Sequence, residues 1–167
     1  MSYDSNYNEY DTFLTDTLGA GFILAVFFIT LVLLVIAYVV TALIYFKASK
    51  TNGFSDVAYI AWIPIANIYS LFILTAKGHD DLAVRAEAKK NTLIYFGLFI
   101  VSLIPLIGLI ASLALLVFTF YFVYRLLYRW SGETGKAILY LILSIISGGI
   151  AFIIYGLMRM NRPFKAA

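Results

Sequence analysis

The sequence contains no cysteine and a single histidine, His79, among its 167 residues. A chain without cysteine forms no disulfides, no thiolate nucleophile and no cysteine metal site. A lone histidine also removes most schemes for metal binding and for acid–base catalysis. His79 lies beside a run of charged residues. We therefore predict that it is a solvated loop residue.

Charge is also scarce, because charged residues make up 13% of the chain, against about a quarter in typical soluble domains. Three long runs contain no charged residue: Thr17–Phe46, Thr92–Tyr124 and Ala137–Met158. About 20 apolar residues in a helix cross the hydrocarbon layer of a bilayer. With the apolar segment 57–76, these runs predict an all-α fold, an integral membrane helical bundle of about four hydrophobic segments.

The N-terminal residues 1–16 are acidic and rich in tyrosine, and they contain no Lys or Arg. This pattern is the opposite of the basic start of a signal peptide. We predict an exposed tail over 1–16, with the first helix beginning near Asp16 or Thr17 and ending near Lys47. Residues 17–158 are then a single transmembrane domain that includes a charged surface helix at 79–90, and residues 159–167 are a short basic tail.

Proline interrupts two of the hydrophobic segments. Pro64 and Asn67 lie near the middle of 57–76, where proline removes a backbone donor and breaks a helix. We predict that 57–76 is a broken or re-entrant hairpin rather than a straight span. Pro105 and Gly108 interrupt 92–124. That segment is predicted to be either one long kinked helix or a tight hairpin.

The positions of the twelve basic residues discriminate between membrane topologies, because Lys and Arg favour the cytoplasmic side. Four simple crossings place five or seven of them inside, depending on orientation. If 57–76 returns to its own side and the N-terminus is outside, nine are inside, whether 92–124 crosses or forms a hairpin. These two solutions disagree about the side of the C-terminus. Both predict a multi-pass protein of the cell membrane with its N-terminus outside.

The stretch Ile63–Tyr69, which follows Trp62, reads IPIANIY. It resembles an IPI-x-N-x-Y hairpin of small uncharacterised prokaryotic multi-pass membrane proteins. A second Ile-Pro hairpin follows in those proteins, and Ile104–Gly108 is similar to it. The likeness extends over residues 55–158 and implies a compact membrane bundle, but it implies no reaction. The hairpin residues that it marks are Trp62, Pro64, Asn67, Tyr69, Pro105 and Gly108.

Motifs of catalysis do not occur in the sequence. It lacks the H-E-x-x-H, G-x-S-x-G and complete phosphate-loop patterns, and we interpret Gly132–Lys136 as a turn between helices. The uncharged runs contain no acidic residue of the kind that proton-coupled transporters place in the membrane. We therefore predict a protein that is not an enzyme and that holds no cofactor and no metal.

Two sets of residues remain as candidates for contact. Small side chains at helical spacing allow close helix approach, and these predicted packing residues are Gly21, Ala25, Ser144, Ser147, Gly148, Gly149 and Ala151. Basic residues near 79–90 suit an anionic membrane surface or a partner protein, and these are Lys77, Arg85, Lys89 and Lys90. Nucleic acid is not expected as a partner, because these bases are few and mixed with acids.

The function predicted from the sequence is that of a non-enzymatic small membrane protein that acts through helix–helix contacts. It would be an accessory subunit of a membrane complex or an immunity-type protector. The alternative is a homo-oligomeric channel or pore for ions or small solutes. Its expected partners are the lipid bilayer and either other copies of the chain or other membrane subunits.

Overall fold

The computed structural model describes the backbone of residues 4–166 and the side chains of residues 17–166. Within these residues every regular element is helical, which confirms the all-α prediction. Two segments, Thr17–Thr51 and Ile107–Ser131, are long and apolar enough to cross a membrane, and four straight spans are not observed. The helices are α1 (Asp4–Thr51), a 3₁₀ helix (Ala58–Trp62), α2 (Ile68–Ile73), α3 (Asp81–Ser102), α4 (Ile107–Ser131), α5 (Thr134–Ile146) and α6 (Ile150–Arg159).

The chain divides into two compact units, Met1–Val39 and Val40–Ala167. In the first unit the backbone is helical from Asp4, so the predicted helix start near Asp16 or Thr17 is wrong. Residues 4–16 contain no glycine or proline that would interrupt a helix. The side chains of the predicted acidic tail lie outside the described residues. Gly21 and Ala25 lie on α1 in this unit.

In the second unit, the segment 57–76 is a broken hairpin and not a straight helix. The 3₁₀ helix and α2 contact each other across a turn at Ile63–Asn67. On one side of the segment, the Arg85 guanidinium donates to the Asp56 carboxylate at 2.8 and 3.1 Å. On the other side, the backbone N–H of Lys77 donates to the Glu87 carboxylate. The segment therefore leaves and returns beside the same stretch of α3, as the predicted hairpin requires.

The two Ile-Pro sequences form turns with the same hydrogen bonds. In each turn the residue after proline has a positive φ, 70° at Ile65 and 69° at Leu106. The next two backbone N–H groups donate back to the proline carbonyl and to the isoleucine carbonyl before it. These bonds are Ala66 to Pro64 (2.8 Å), Asn67 to Ile63 (3.0 Å), Ile107 to Pro105 (2.9 Å) and Gly108 to Ile104 (2.7 Å). The two bonds to the proline carbonyls each close a γ-turn, which is a strained turn that reverses the chain within three residues.

Helices α3 and α4 form the second hairpin around Pro105, so 92–124 is a hairpin rather than one kinked helix. The charged helix predicted at 79–90 is the beginning of α3 and continues into its apolar part. The Asp80 side chain caps α3 by accepting the Ala83 N–H at 2.6 Å. At the other end of α4, Arg125 lies 3.5 Å from Glu87 of α3, which brings the end of α4 back to the beginning of α3.

Helices α5 and α6 form a third hairpin, which the sequence analysis missed. All the topologies counted from the sequence treat the uncharged run Ala137–Met158 as one span. This is wrong, because the helix is interrupted where Gly148 and Gly149 have φ of 61° and 95°. Glycine adopts this left-handed conformation readily, and helices commonly end at such a residue. After α6, the backbone N–H of Lys165 donates to the Arg129 carbonyl at 2.8 Å. The chain thus returns to the region where α5 begins.

The core of the second unit is aromatic. Phe72 of α2 packs edge-on against Tyr95 of α3 and against Phe118 and Phe122 of α4, with ring centroids 4.8–6.0 Å apart. Gly156 of α6 packs against Ile44, where an added Cβ would lie 2.9 Å from the isoleucine side chain. By contrast, the three turns expose large apolar side chains, among them Leu106 (94% exposed), Ile146 (78%) and Ile65 (74%). We call these three turns the apolar tips.

Gly108→Ala tests the α3–α4 turn. An added Cβ at Gly108 would lie 2.3 Å from the Ser102 carbonyl oxygen, and overpacking of this kind costs about 1–3 kcal/mol. At Gly97, on α3 of the same hairpin, nothing lies within 4 Å of an added Cβ. Gly97→Ala should therefore be neutral or stabilising by up to about 1 kcal/mol. Thermal unfolding in detergent, followed by circular dichroism, measures both variants. Equal melting temperatures would contradict this turn geometry.

Candidate functional site

The loops between the three hairpins converge at one end of the second unit, which we call the polar end. It consists of residues 52–56, 77–80, 132–133 and 160–166, with the helix turns that adjoin them. Besides the contacts of Glu87 and Arg85 with loops, the Thr51 hydroxyl donates to the Met160 carbonyl at 3.1 Å. The Phe164 N–H donates to the Asn52 side-chain oxygen at 2.9 Å. These bonds tie the end of α1 to the C-terminal residues.

Every Lys and Arg of the chain lies in the polar end or within a few helix turns of it. No basic residue precedes Lys47 in the sequence, and the apolar tips carry none. The twelve residues are Lys47, Lys50, Lys77, Arg85, Lys89, Lys90, Arg125, Arg129, Lys136, Arg159, Arg162 and Lys165. The second unit therefore has one basic end and three apolar tips.

Arg129 contacts several segments of the chain at the polar end. Its guanidinium donates to the carbonyls of Leu74 and Ala76, each at 2.9 Å. These carbonyls follow α2, where the last turn of a helix leaves acceptors without helical partners. The same guanidinium lies 5.3 Å from the centroid of the Phe164 ring. Arg129 thus joins the hairpin 57–76, α4 and the C-terminal residues.

Arg85 holds the other end of the hairpin 57–76. Besides its two bonds to Asp56, its Nε donates to Asp81 at 2.7 Å. The hydrogen bonds from Arg85 keep the pKa of Asp56 below its ordinary value, and the same carboxylates raise the pKa of Arg85. The contribution of Asp56 to stability is present above the ordinary pKa of a carboxylate, about 3.9. It is lost as the pH falls through the lower pKa of the folded state.

An open groove of about 650 Å³ lies between the hairpin 57–76 and α3. One wall is formed by the 3₁₀ helix, the Pro64 turn and α2, including the predicted residue Tyr69. The other wall is α3, from which Arg85 and Lys89 contribute at one end and Phe96 at the other. The groove thus joins a basic end to an apolar interior, and it is large enough for a ligand of ordinary size.

Four of the residues predicted from the sequence do not line this groove: Trp62, Asn67, Lys77 and Lys90. Trp62 contacts Phe46 at the end of α1, with ring centroids 6.1 Å apart. The Asn67 side chain makes no hydrogen bond among the described residues, although its backbone closes the Pro64 turn. Lys77 and Lys90 have exposed side chains, and they do not line the groove.

The predicted packing residues of the last segment lie at the α5–α6 turn. The Ser144 hydroxyl donates to the Tyr140 carbonyl at 2.6 Å, and the Ser147 hydroxyl accepts the Ala151 N–H at 3.0 Å. Nothing lies within 4 Å of a Cβ added at Gly148 or Gly149. Within the chain these residues shape a turn, and their contact with another subunit stays a prediction.

Three residues that join the hairpins were not singled out in the sequence analysis: Asp56, Glu87 and Arg129. Their partners lie 10 to 55 residues away along the chain, so no local pattern indicates the pairing. No group of three His, Cys, Asp or Glu side chains within the described residues is arranged to hold a metal ion. Comparisons with protein-family models, curated proteins and solved structures find no significant match to this chain.

Arg129→Lys tests the junction at the polar end. A lysine cannot donate to both carbonyls in the fixed geometry of a guanidinium, and losing a hydrogen bond from a charged group costs about 1.5–3 kcal/mol. We expect lower stability in detergent and faster amide hydrogen exchange over residues 74–80. The control is Arg162→Lys, because the Arg162 side chain is exposed. Identical exchange in the two variants would show that Arg129 does not hold this loop.

Proposed function

We propose that this chain is a non-enzymatic integral protein of the cell membrane that acts through helix–helix contacts. It would serve as an accessory subunit of a membrane complex or as an immunity-type protector. In this proposal α1 is the single complete crossing, with its acidic N-terminus outside, in place of the multi-pass topology expected from the sequence. The three hairpins enter from the inner side, and the polar end lies at the cytoplasmic surface.

The observation that carries this proposal is the distribution of charge. All twelve basic residues follow the uncharged run of α1, and the acidic residues Asp4, Glu9, Asp11 and Asp16 precede it. With the polar end inside, every Lys and Arg is cytoplasmic, as the positive-inside rule favours. The two topologies derived from the sequence leave three bases on the outer side. With the third hairpin the chain would return to the inner side, so that no base is left outside.

The turns themselves support insertion. In lipid, backbone polar groups need partners within the protein. The proline turns bond two of their N–H groups internally, and proline has no N–H. In the third turn, the N–H groups of Gly148 and Gly149 donate to Ile145 and Ser144. The exposed apolar side chains of the tips would then face lipid, which explains their lack of cover.

The length of the third hairpin favours its partial insertion. At 1.5 Å per residue, α5 (Thr134–Ile146) and α6 (Ile150–Arg159) measure about 20 and 15 Å. Both are shorter than the hydrocarbon layer of about 30 Å, so this hairpin would end inside the bilayer. Its tip, like the two proline tips, would offer an apolar surface to helices of a partner within the membrane.

The alternative function, a homo-oligomeric channel or pore, has less support. Hydroxyl groups that would line a neutral path are bonded to the backbone of their own helices. The Ser102 hydroxyl donates to Phe99, Thr119 donates to Leu115, and Ser144 donates to Tyr140. The prediction that the chain is not an enzyme rests on the absence of catalytic motifs from its sequence.

Single-cysteine labelling in intact cells tests the topology, and the chain has no native cysteine to remove. A cysteine at Ser5 should react with an impermeant maleimide. Cysteines at Ala86, Gly135 and Asn161 should react only after lysis, because these positions adjoin the polar end. Labelling of Gly135 and Asn161 on opposite sides would contradict the α5–α6 hairpin. Labelling of all four in intact cells would contradict the whole topology.

The mass of the particle purified in mild detergent tests the function. An accessory subunit should co-purify with a second membrane protein at fixed stoichiometry, which native mass spectrometry measures. A closed ring of this chain alone would support the channel instead. A monomer that recovers no partner after crosslinking in cells would contradict both proposals.

A further inference from the structure

The groove beside the Pro64 turn has the polarity of an amphiphile. Arg85, Lys89, Thr92 and Phe96 all line it from one face of α3, at the spacing of four, three and four residues that keeps side chains on one helical face. The distance along α3 from Lys89 to Phe96 is about 10 Å. The groove therefore changes from basic to apolar over a short distance.

The wall opposite α3 consists of apolar residues apart from Tyr69. Ile60 of the 3₁₀ helix and Pro64, Ile65 and Ala66 of the turn contribute to it. This wall carries no charged side chain that would repel a hydrocarbon chain. The groove is open to its surroundings and is not a closed cavity, so a flexible chain can enter it.

The two basic residues at the mouth of the groove differ in their partners. Arg85 is already paired with Asp56 and Asp81. Lys89, one helical turn further along, makes no ion pair with any residue in the described part of the chain. Its ammonium group is exposed. Lys89 is therefore the group at the mouth that is available to an external anion.

We propose that this groove binds one acyl chain of an anionic phospholipid, whose headgroup phosphate is held by Lys89. This proposal rests on the insertion of the hairpins under the proposed function. It goes beyond general attraction of the basic residues to an anionic surface, because it assigns one lipid to one groove. A soluble anion would leave the apolar wall uncovered, and a zwitterionic lipid would bring a cation of its own close to the phosphate and to Lys89.

Lipid binding to the purified protein in detergent tests this site by native mass spectrometry. Phosphatidylglycerol and phosphatidylcholine with the same acyl chains are titrated separately. We expect one phosphatidylglycerol to be retained in preference. Lys89→Gln should weaken its affinity about fivefold in the titration, the factor that corresponds to one basic contact near an anionic surface. Lys90→Gln is the matched control, because Lys90 is adjacent and exposed but lies outside the groove, and it should have little effect.

Ala66→Trp tests the apolar part of the site. This side chain would fill the groove, so phosphatidylglycerol retention should fall although both lysines remain. If Ala66→Trp does not elute from size-exclusion chromatography at the volume of the native particle, its folding is disturbed. The comparison of Lys89→Gln with Lys90→Gln then decides the proposal.

Three results would overturn the proposal. Equal losses for Lys89→Gln and Lys90→Gln would indicate attraction to the whole basic surface. Equal retention of the two lipids would show that the site does not select a lipid with net negative charge. Displacement of the lipid by millimolar inorganic phosphate would indicate a site for the phosphate group alone. Cysteine labelling is independent of these results, so failure of the lipid site and failure of the topology are distinguishable.

Discussion

The proposed insertion of the second unit depends on one constraint, which is that turns between apolar helices in lipid must close their own backbone hydrogen bonds. The Pro64 and Pro105 turns do so with the same pair of bonds, and both place the residue after proline at φ near 70°. Such a φ costs about 1–3 kcal/mol for residues other than glycine. The chain accepts this cost at Ile65 and Leu106, where a large apolar side chain is exposed at the tip. A glycine there would relieve the strain but would remove apolar surface.

At the polar end the loops are held together mainly by side chains and less by their own backbone hydrogen bonds. Loops must enter and leave beside one another, and their free carbonyls and carboxylates need donors. Arginine supplies these donors because its planar group can bond two acceptors at once. Arg85 does this for two carboxylates, and Arg129 does it for two carbonyls. The ion pairs are largely exposed and contribute little energy individually. The bonds of Arg85 to Asp56 and of Arg129 to the Leu74 and Ala76 carbonyls are important for register, because each joins two different hairpins.

Much of this arrangement could be predicted from the sequence where one residue has a strong local effect. Pro64 indicated the first chain reversal, Pro105 indicated either a kink or a reversal, and the lack of charge indicated the apolar helices. The third hairpin was missed because Gly148 and Gly149 also suit a packing face, and a glycine pair does not reveal its φ. The helical start of α1 was missed because acidic composition suggested a tail, although nothing there prevents a helix. The contacts of Arg129 depend on residues far apart in sequence, so they could be identified only in the folded chain.

The third hairpin also changes how the charges can be interpreted. When Ala137–Met158 is treated as one crossing, the bases on its two sides, such as Arg129 and Arg162, must lie on opposite sides of the membrane. Any topology then leaves part of the positive charge outside. Once Gly148 and Gly149 reverse the chain, this conflict disappears and the C-terminal residues can return to bond Arg129. The same local backbone conformation accounts for the contact at the polar end and, in the proposed topology, for a charge distribution that needs no exception to the positive-inside rule.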